Sequence, residues 1–149
     1  MECLKILLII LLLILFKCIY SKPIESYNNT RSGDIIEIVG SLDFREPHVQ
    51  KIIKRFTKDG SFKAPIVELT GTDRGANLFC KGIGLDYPDI TTASRDMNEQ
   101  ELKLCKDNGI TFKKITKANG SLIFYVKESH IGVIPGLDKL VSQLENVKY

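Results

Sequence analysis

Three short loops hold the residues best suited to chemistry. Gly40-Ser41, Gly71-Thr72 with Thr70 and Asp73 beside them, and Ala93-Ser94-Arg95 each follow a short β-branched run. Backbone N–H groups at helix starts, hydroxyl donors and a guanidinium all present positive dipole or charge to an oxyanion. Glycine lets the backbone come close to such a ligand. Taken one at a time these turns are common; recurrence at the same end of successive strands is what makes Ser41, Gly71, Thr72, Ser94 and Arg95 a candidate oxyanion set. The competing reading is local: Thr72 and Ser94 satisfy turn backbone groups, and Arg95 pairs with a nearby acid such as Asp89.

The elements that must position these loops follow from periodicity. Ile35-Ile36-Glu37-Ile38-Val39 reads as a strand. Pro47 suits a first helical turn, and Val49, Ile52, Ile53 and Phe56 keep the spacing of a helix with one buried face. A second strand is predicted at 66–69, then a helix at 74–80 capped by Asp73. A third strand falls at 90–93. A helix at 98–108 follows, capped by Asn98 and closed by Gly109, with Leu102 and Cys105 on a shared face. Strands at 112–116 and 121–126 come next, and Leu137, Leu140, Val141 and Leu144 mark a last amphipathic stretch. Strands alternating with helices in this way predict an α/β domain, a mainly parallel sheet flanked by helices, whose ligands gather at the C-terminal strand ends.

Other chemistries have little to work with. The formal charge of +3 is small and the basic residues are mixed with acids along the chain, which argues against a nucleic-acid partner. His48 and His130 lie in unrelated segments, read as a helix-start surface residue and a loop residue. No nucleophile elbow, phosphate-loop lysine or cysteine-histidine metal spacing occurs, so the chain reads as neither an enzyme nor a metal or cofactor binder.

Lys5 precedes an unbroken apolar run over residues 6–16, and Lys17 ends it. That length fits a signal-peptide core of roughly 7–15 residues and falls short of the ~20 a membrane-spanning helix needs. Residues 1–21 are therefore read as a signal peptide cleaved after Ser21, giving a periplasmic or secreted protein, with an N-terminal membrane anchor as the alternative. Residues 22–34 read as a linker. Asn28-Asn29-Thr30 and Asn119-Gly120-Ser121 match a glycosylation acceptor, a triplet common by chance. In an oxidising compartment Cys80 and Cys105 read as a disulfide, with two buried free thiols as the alternative.

The ordered set Ile38-Val39-Gly40-Ser41, Leu69-Thr70-Gly71-Thr72, Leu78-Phe79-Cys80-Lys81-Gly82, Asp89-Ile90-Thr91-Thr92-Ala93-Ser94-Arg95 and Glu101 through Ile110 resembles the opening half of the periplasmic phosphate-binding proteins of phosphate ABC transporters. The resemblance covers about residues 35–126, with 127–149 a divergent C-terminal tail. It implies the first lobe of a two-lobed protein of the type 2 periplasmic binding protein kind, truncated or split. It also implies phosphate or a similar oxyanion as ligand, membrane components of the transporter as partners, and Ser41, Gly71, Thr72, Ser94 and Arg95 as binding residues. The matching Phe79-Cys80 and Leu104-Cys105 add to the case for the disulfide. The alternative is an exported relic or interaction module that binds no anion. Two departures bear on that choice: Leu42 and Asp43 follow Ser41 where the family continues with hydroxyl residues, and Asp73 and Arg74 stand where its second loop is glycine-rich.

Overall fold

The computed structural model describes residues 33–117 and 120–146. The apolar run with its cleavage site, both glycosylation triplets except Gly120 and Ser121, and all of the linker but its last two residues lie outside them. The described residues form a five-stranded sheet between two helical layers, the α/β arrangement predicted above. The strands are β1 (Glu37–Gly40), β2 (Ile66–Glu68), β3 (Ile90–Ala93), β4 (Phe112–Lys117) and β5 (Leu122–Lys127), in the order β2-β1-β3-β5-β4. The helices are α1 (Pro47–Thr57), α2 (Thr72–Cys80), α3 (Glu99–Asp107) and α4 (Leu137–Asn146), with short 3₁₀ turns at Leu42–Arg45 and Glu128–His130.

β1 pairs parallel with both β2 and β3, and β5 pairs antiparallel with both β3 and β4. Four strands thus run one way and β5 the other. The cause is connection length: only four residues lie between β4 and β5, and so short a link permits only a hairpin. Alternation along β5 then builds two cores. Leu122, Phe124 and Val126 join Ile36, Ile38, Ile90, α1 and α4 on one face, whereas Ile123 and Tyr125 join Ala93, α2 and α3 on the other. The last amphipathic stretch is α4, whose Leu137, Leu140, Val141 and Leu144 complete the first core.

Several local expectations need correction. Helix α2 starts at Thr72 with Gly71 in the cap position, so Asp73 lies inside the first turn and does not cap it. Leu102 does not share the buried face of Cys105: it is 43% exposed, and Glu101 takes the inward position one turn before Cys105. His130, read as a loop residue, ends the 3₁₀ turn at Glu128–His130, where its Nδ1 sits 2.6 Å from Asp89 Oδ1 and both side chains are buried. The other Asp89 oxygen accepts from Glu37 N–H at 2.7 Å. Asp89 therefore stands at the start of β3, at the sheet edge opposite the three loops, and is not a partner for Arg95.

A Cys80–Cys105 disulfide joins the end of α2 to α3 across 25 residues of sequence. Closing a loop of that size stabilises the fold by about 3–4 kcal/mol through the unfolded chain's lost entropy. Replacing both cysteines by serine should lower the melting temperature by about 10 °C or more, read by calorimetry; an unchanged melt would show that the crosslink adds nothing.

At the far end of α1, Asp59 accepts from Lys139 Nζ of α4 at 3.0 Å and from Ser61 N–H at 3.1 Å. The Lys139 hydrogen bond, then those from Ser61, hold its carboxyl at about 2, against 3.8 for the free side chain. A depressed folded pKa stabilises above the unfolded value and ceases to do so as pH falls through the folded one. This link between α1 and α4 is therefore intact above about pH 4 and lost on acidification towards pH 2. A carboxyl-carbon NMR titration of Asp59 with a midpoint near 4 would contradict the pairing.

Candidate functional site: the three-loop edge

The C-terminal ends of β1, β2 and β3 lie side by side, and backbone bonds tie their loops together. Ser41 N–H donates to Thr92 carbonyl at 2.9 Å, and Gly71 N–H donates to Gly40 carbonyl at 2.8 Å. Gly40 is what permits this approach. Its φ is +126°, and a Cβ there would stand 2.0 Å from the Thr92 carbonyl oxygen. Gly75 does the same for the helix: a Cβ on it would lie 2.6 Å from Gly40 Cα and 2.8 Å from Thr91 Oγ1. The first turn of α2 is thus pressed against the ends of β1 and β3.

That turn leaves its first amides uncapped by any side chain. Gly71 stands at the cap position with φ +84° and no side chain caps the helix, so the amides of Thr72, Asp73 and Arg74 have no carbonyl one turn earlier to bond. Thr72 Oγ1 lies 3.1 Å from Ser94 Oγ and accepts Ser94 N–H at 3.1 Å. The second and third loops therefore meet hydroxyl to hydroxyl, next to Ser41 on the first. Ser41, Gly71, Thr72 and Ser94 share one edge.

Arg95 is on the same loop but its side chain is already occupied. Both guanidinium nitrogens reach Glu101, Nη1 to Oε2 at 2.9 Å and Nη2 to Oε1 at 2.9 Å. Nη2 also pairs with exposed Asp73, and Nη1 donates to Asp96 carbonyl at 2.7 Å. Hydrogen bonds to Glu101 first and Asp73 second raise the already high pKa of Arg95, so it stays charged. The local reading that Arg95 pairs with an acid is right in kind, with Asp73 and Glu101 in place of Asp89.

Glu101 is the residue that sequence reasoning missed. Only 4% exposed, it completes a capping box: Asn98 N–H donates to Glu101 Oε2 at 2.8 Å and Glu101 N–H donates to Asn98 Oδ1 at 2.9 Å. The signal was present as Asn98 followed three residues later by a glutamate. On the first loop, Ser41 Oγ donates to Asp43 Oδ2 at 3.0 Å and accepts Asp43 N–H at 3.2 Å, which caps the 3₁₀ turn.

The edge is polar and slightly acidic, with Asp43, Asp73 and Glu101 against Arg74 and Arg95. A cleft of about 240 Å³ between α2 and α3 is lined by Asp73, Asn77, Asn98, Gln100 and Glu101, and it includes none of Ser41, Thr72 or Ser94. Among the described residues no group of three or more His, Cys, Asp or Glu is gathered to hold a metal.

No protein-family model matches this chain, and no solved structure does. Over 49 residues the chain is 45% identical to Protein SphX of Synechocystis sp. (strain ATCC 27184 / PCC 6803 / Kazusa). The matched stretch covers 33% of this chain and 13% of SphX, so the chain is similar to a small part of that protein.

Proposed function

We propose that the three-loop edge binds phosphate or a similar tetrahedral oxyanion, and that the chain is the counterpart of part of the substrate-binding component of a phosphate ABC transporter. The observation that carries this reading is the meeting of Thr72 and Ser94 hydroxyls 3.1 Å apart at the uncapped start of α2. Hydroxyl donors and first-turn amides converging on one point are what an oxyanion needs. The partial likeness to SphX lends some support to the phosphate-binding-protein resemblance. The reading is one of binding, not catalysis, and its partners are the anion and the membrane components of such a transporter. After export the chain would work in the periplasm or outside the cell.

One observation favours the second reading, an exported module or relic that binds no anion: the charged and hydroxyl groups nearest the seat already have partners, Arg95 in Glu101 and Asp73, Ser41 in Asp43. Adding millimolar phosphate to isotopically labelled protein separates the two. Anion binding moves the amide signals of Gly71, Thr72 and Ser94, saturably, while those of Gly109 and Gly132 stay still. A spectrum unchanged at the highest phosphate rejects the first reading and leaves the second.

A further inference from the structure

The mechanism proposed for the loops makes no use of the outer face of α1, and that face has an unusual charge pattern. At 100° per residue, Lys51, Lys54, Arg55 and Lys58 fall within an arc of roughly 100°, turned away from buried Val49, Ile52 and Phe56. All four are exposed, none is in an ion pair among the described residues, and helix α1 contains no acidic residue. The acids nearest in sequence are Glu46, before the helix, and Asp59, which is held by Lys139. Asp138 is exposed on neighbouring α4, and His48 lies just beyond the Arg55 edge of that arc.

Cations in a last turn complement the helix dipole, which accounts for Lys54, Arg55 and Lys58 one by one. It does not account for Lys51, nor for the lack of any acid. Like charges three and four residues apart repel, and an ordinary surface helix intersperses the two signs. The stripe therefore costs the isolated fold stability, and an external counter-charge would offset that cost.

We infer that the Lys51-Lys54-Arg55-Lys58 face of α1 docks on an anionic phospholipid surface. A planar array of headgroup charges suits a short straight stripe of flexible cations. A single nucleic-acid strand would call for aromatic stacking platforms as well, and the nearest aromatics, Phe44 and Phe56, are buried in the core, while a duplex is the rival that the test below addresses. On the alternative reading of residues 6–16 as an N-terminal membrane anchor, helix α1 is held beside a bilayer, and the choice of partner rests on that reading. Each cation held near an anionic leaflet strengthens adsorption roughly fivefold. The inference does not depend on anion binding at the loops.

The test is co-sedimentation of the full chain with vesicles of phosphatidylcholine alone and of phosphatidylcholine with about a third phosphatidylglycerol, at low and high salt. Any contribution of the apolar run is the same for both compositions, so the difference between them reports charge. We expect at least tenfold stronger partitioning onto the anionic vesicles, abolished by half-molar salt and by K51E/K54E/K58E. The variant's melting curve shows whether the fold is kept, and K51Q/K54Q/K58Q replaces it if the fold is lost. Equal partitioning onto both compositions overturns the inference, as does an anionic preference that survives in the variants. Tighter binding to a short DNA duplex than to anionic vesicles would overturn it in favour of a polymeric partner.

Discussion

Replacing Asp73 by asparagine should tighten the proposed phosphate binding about tenfold. The Asp73 carboxylate sits in the first turn of α2, where the helix start attracts negative charge, and it pairs with Arg95 from the exposed side. An arriving anion meets it twice: as a like charge at the seat and as a competitor for the guanidinium. A unit negative charge ~4 Å from this carboxylate is repelled by about 1 kcal/mol in water and about 4 kcal/mol at an effective dielectric of ~20. The Asp73 side chain is 80% exposed, so the lower figure is the better guide. Phosphate carries between one and two charges, which brings the repulsion to about 1.4 kcal/mol, or tenfold in Kd. Asparagine keeps the size and the helix-start preference while removing the charge. Buried Glu101 still holds Arg95 through two 2.9 Å bonds, so the loop keeps its shape. Affinities from NMR titration of the two proteins at low salt decide the matter, and a variant that binds no tighter than the parent would show that Asp73 does not oppose the anion. Added salt should narrow the gap between them by screening.

The same pair shows where reading the sequence stops. Gly71, Thr72 and Ser94 were legible as a group because each follows a strand and the parallel β1, β2 and β3 bring those ends together. That juxtaposition follows from connection rules and needs no side-chain detail. The orientation of the Arg95 side chain was not legible, since it depends on which carboxylates a turn of α3 and a turn of α2 bring within reach. Asp89, close in sequence and at the same strand, looked a natural partner, yet it stands at the other end of β3, facing His130. Nearness along a strand places residues at opposite edges of a sheet. His130 itself gave no signal, because its partner is 41 residues away and the two meet only after β5 has entered the sheet between β3 and β4. The position of β5 was the other feature hidden from periodicity: β4 and β5 were recognisable as strands, but their pairing partners were not. By contrast the apolar spacing of α1 and the last helix translated directly into burial, since Val49, Ile52, Phe56, Leu140 and Leu144 are all within the first core.

Gly40→Ala should be the most damaging single substitution at the site, at more than about 3 kcal/mol of stability. Two independent costs combine there. The backbone at φ +126° lies where L side chains are rarely found, a strain of roughly 1–3 kcal/mol. The new methyl would also stand 2.0 Å from Thr92 oxygen, 2.8 Å from its nitrogen and 2.9 Å from its carbonyl carbon. All three are backbone atoms of the strand paired with Gly40, so nothing flexible can move aside, and overpacking of this kind adds about 1–3 kcal/mol. Relief requires prising β1 from β3, which breaks the Ser41 to Thr92 bond and displaces the Gly40 carbonyl that anchors Gly71. Loss of stability and loss of the proposed anion seat should therefore come together. Gly60→Ala separates the two costs: its φ is +69° with nothing within 4 Å of the added carbon, so only the strain term applies. Denaturant unfolding of both variants gives the comparison. If alanine at 40 costs no more than alanine at 60, the two strand ends do not meet as tightly as described, and the three loops lose the contact that makes them one edge.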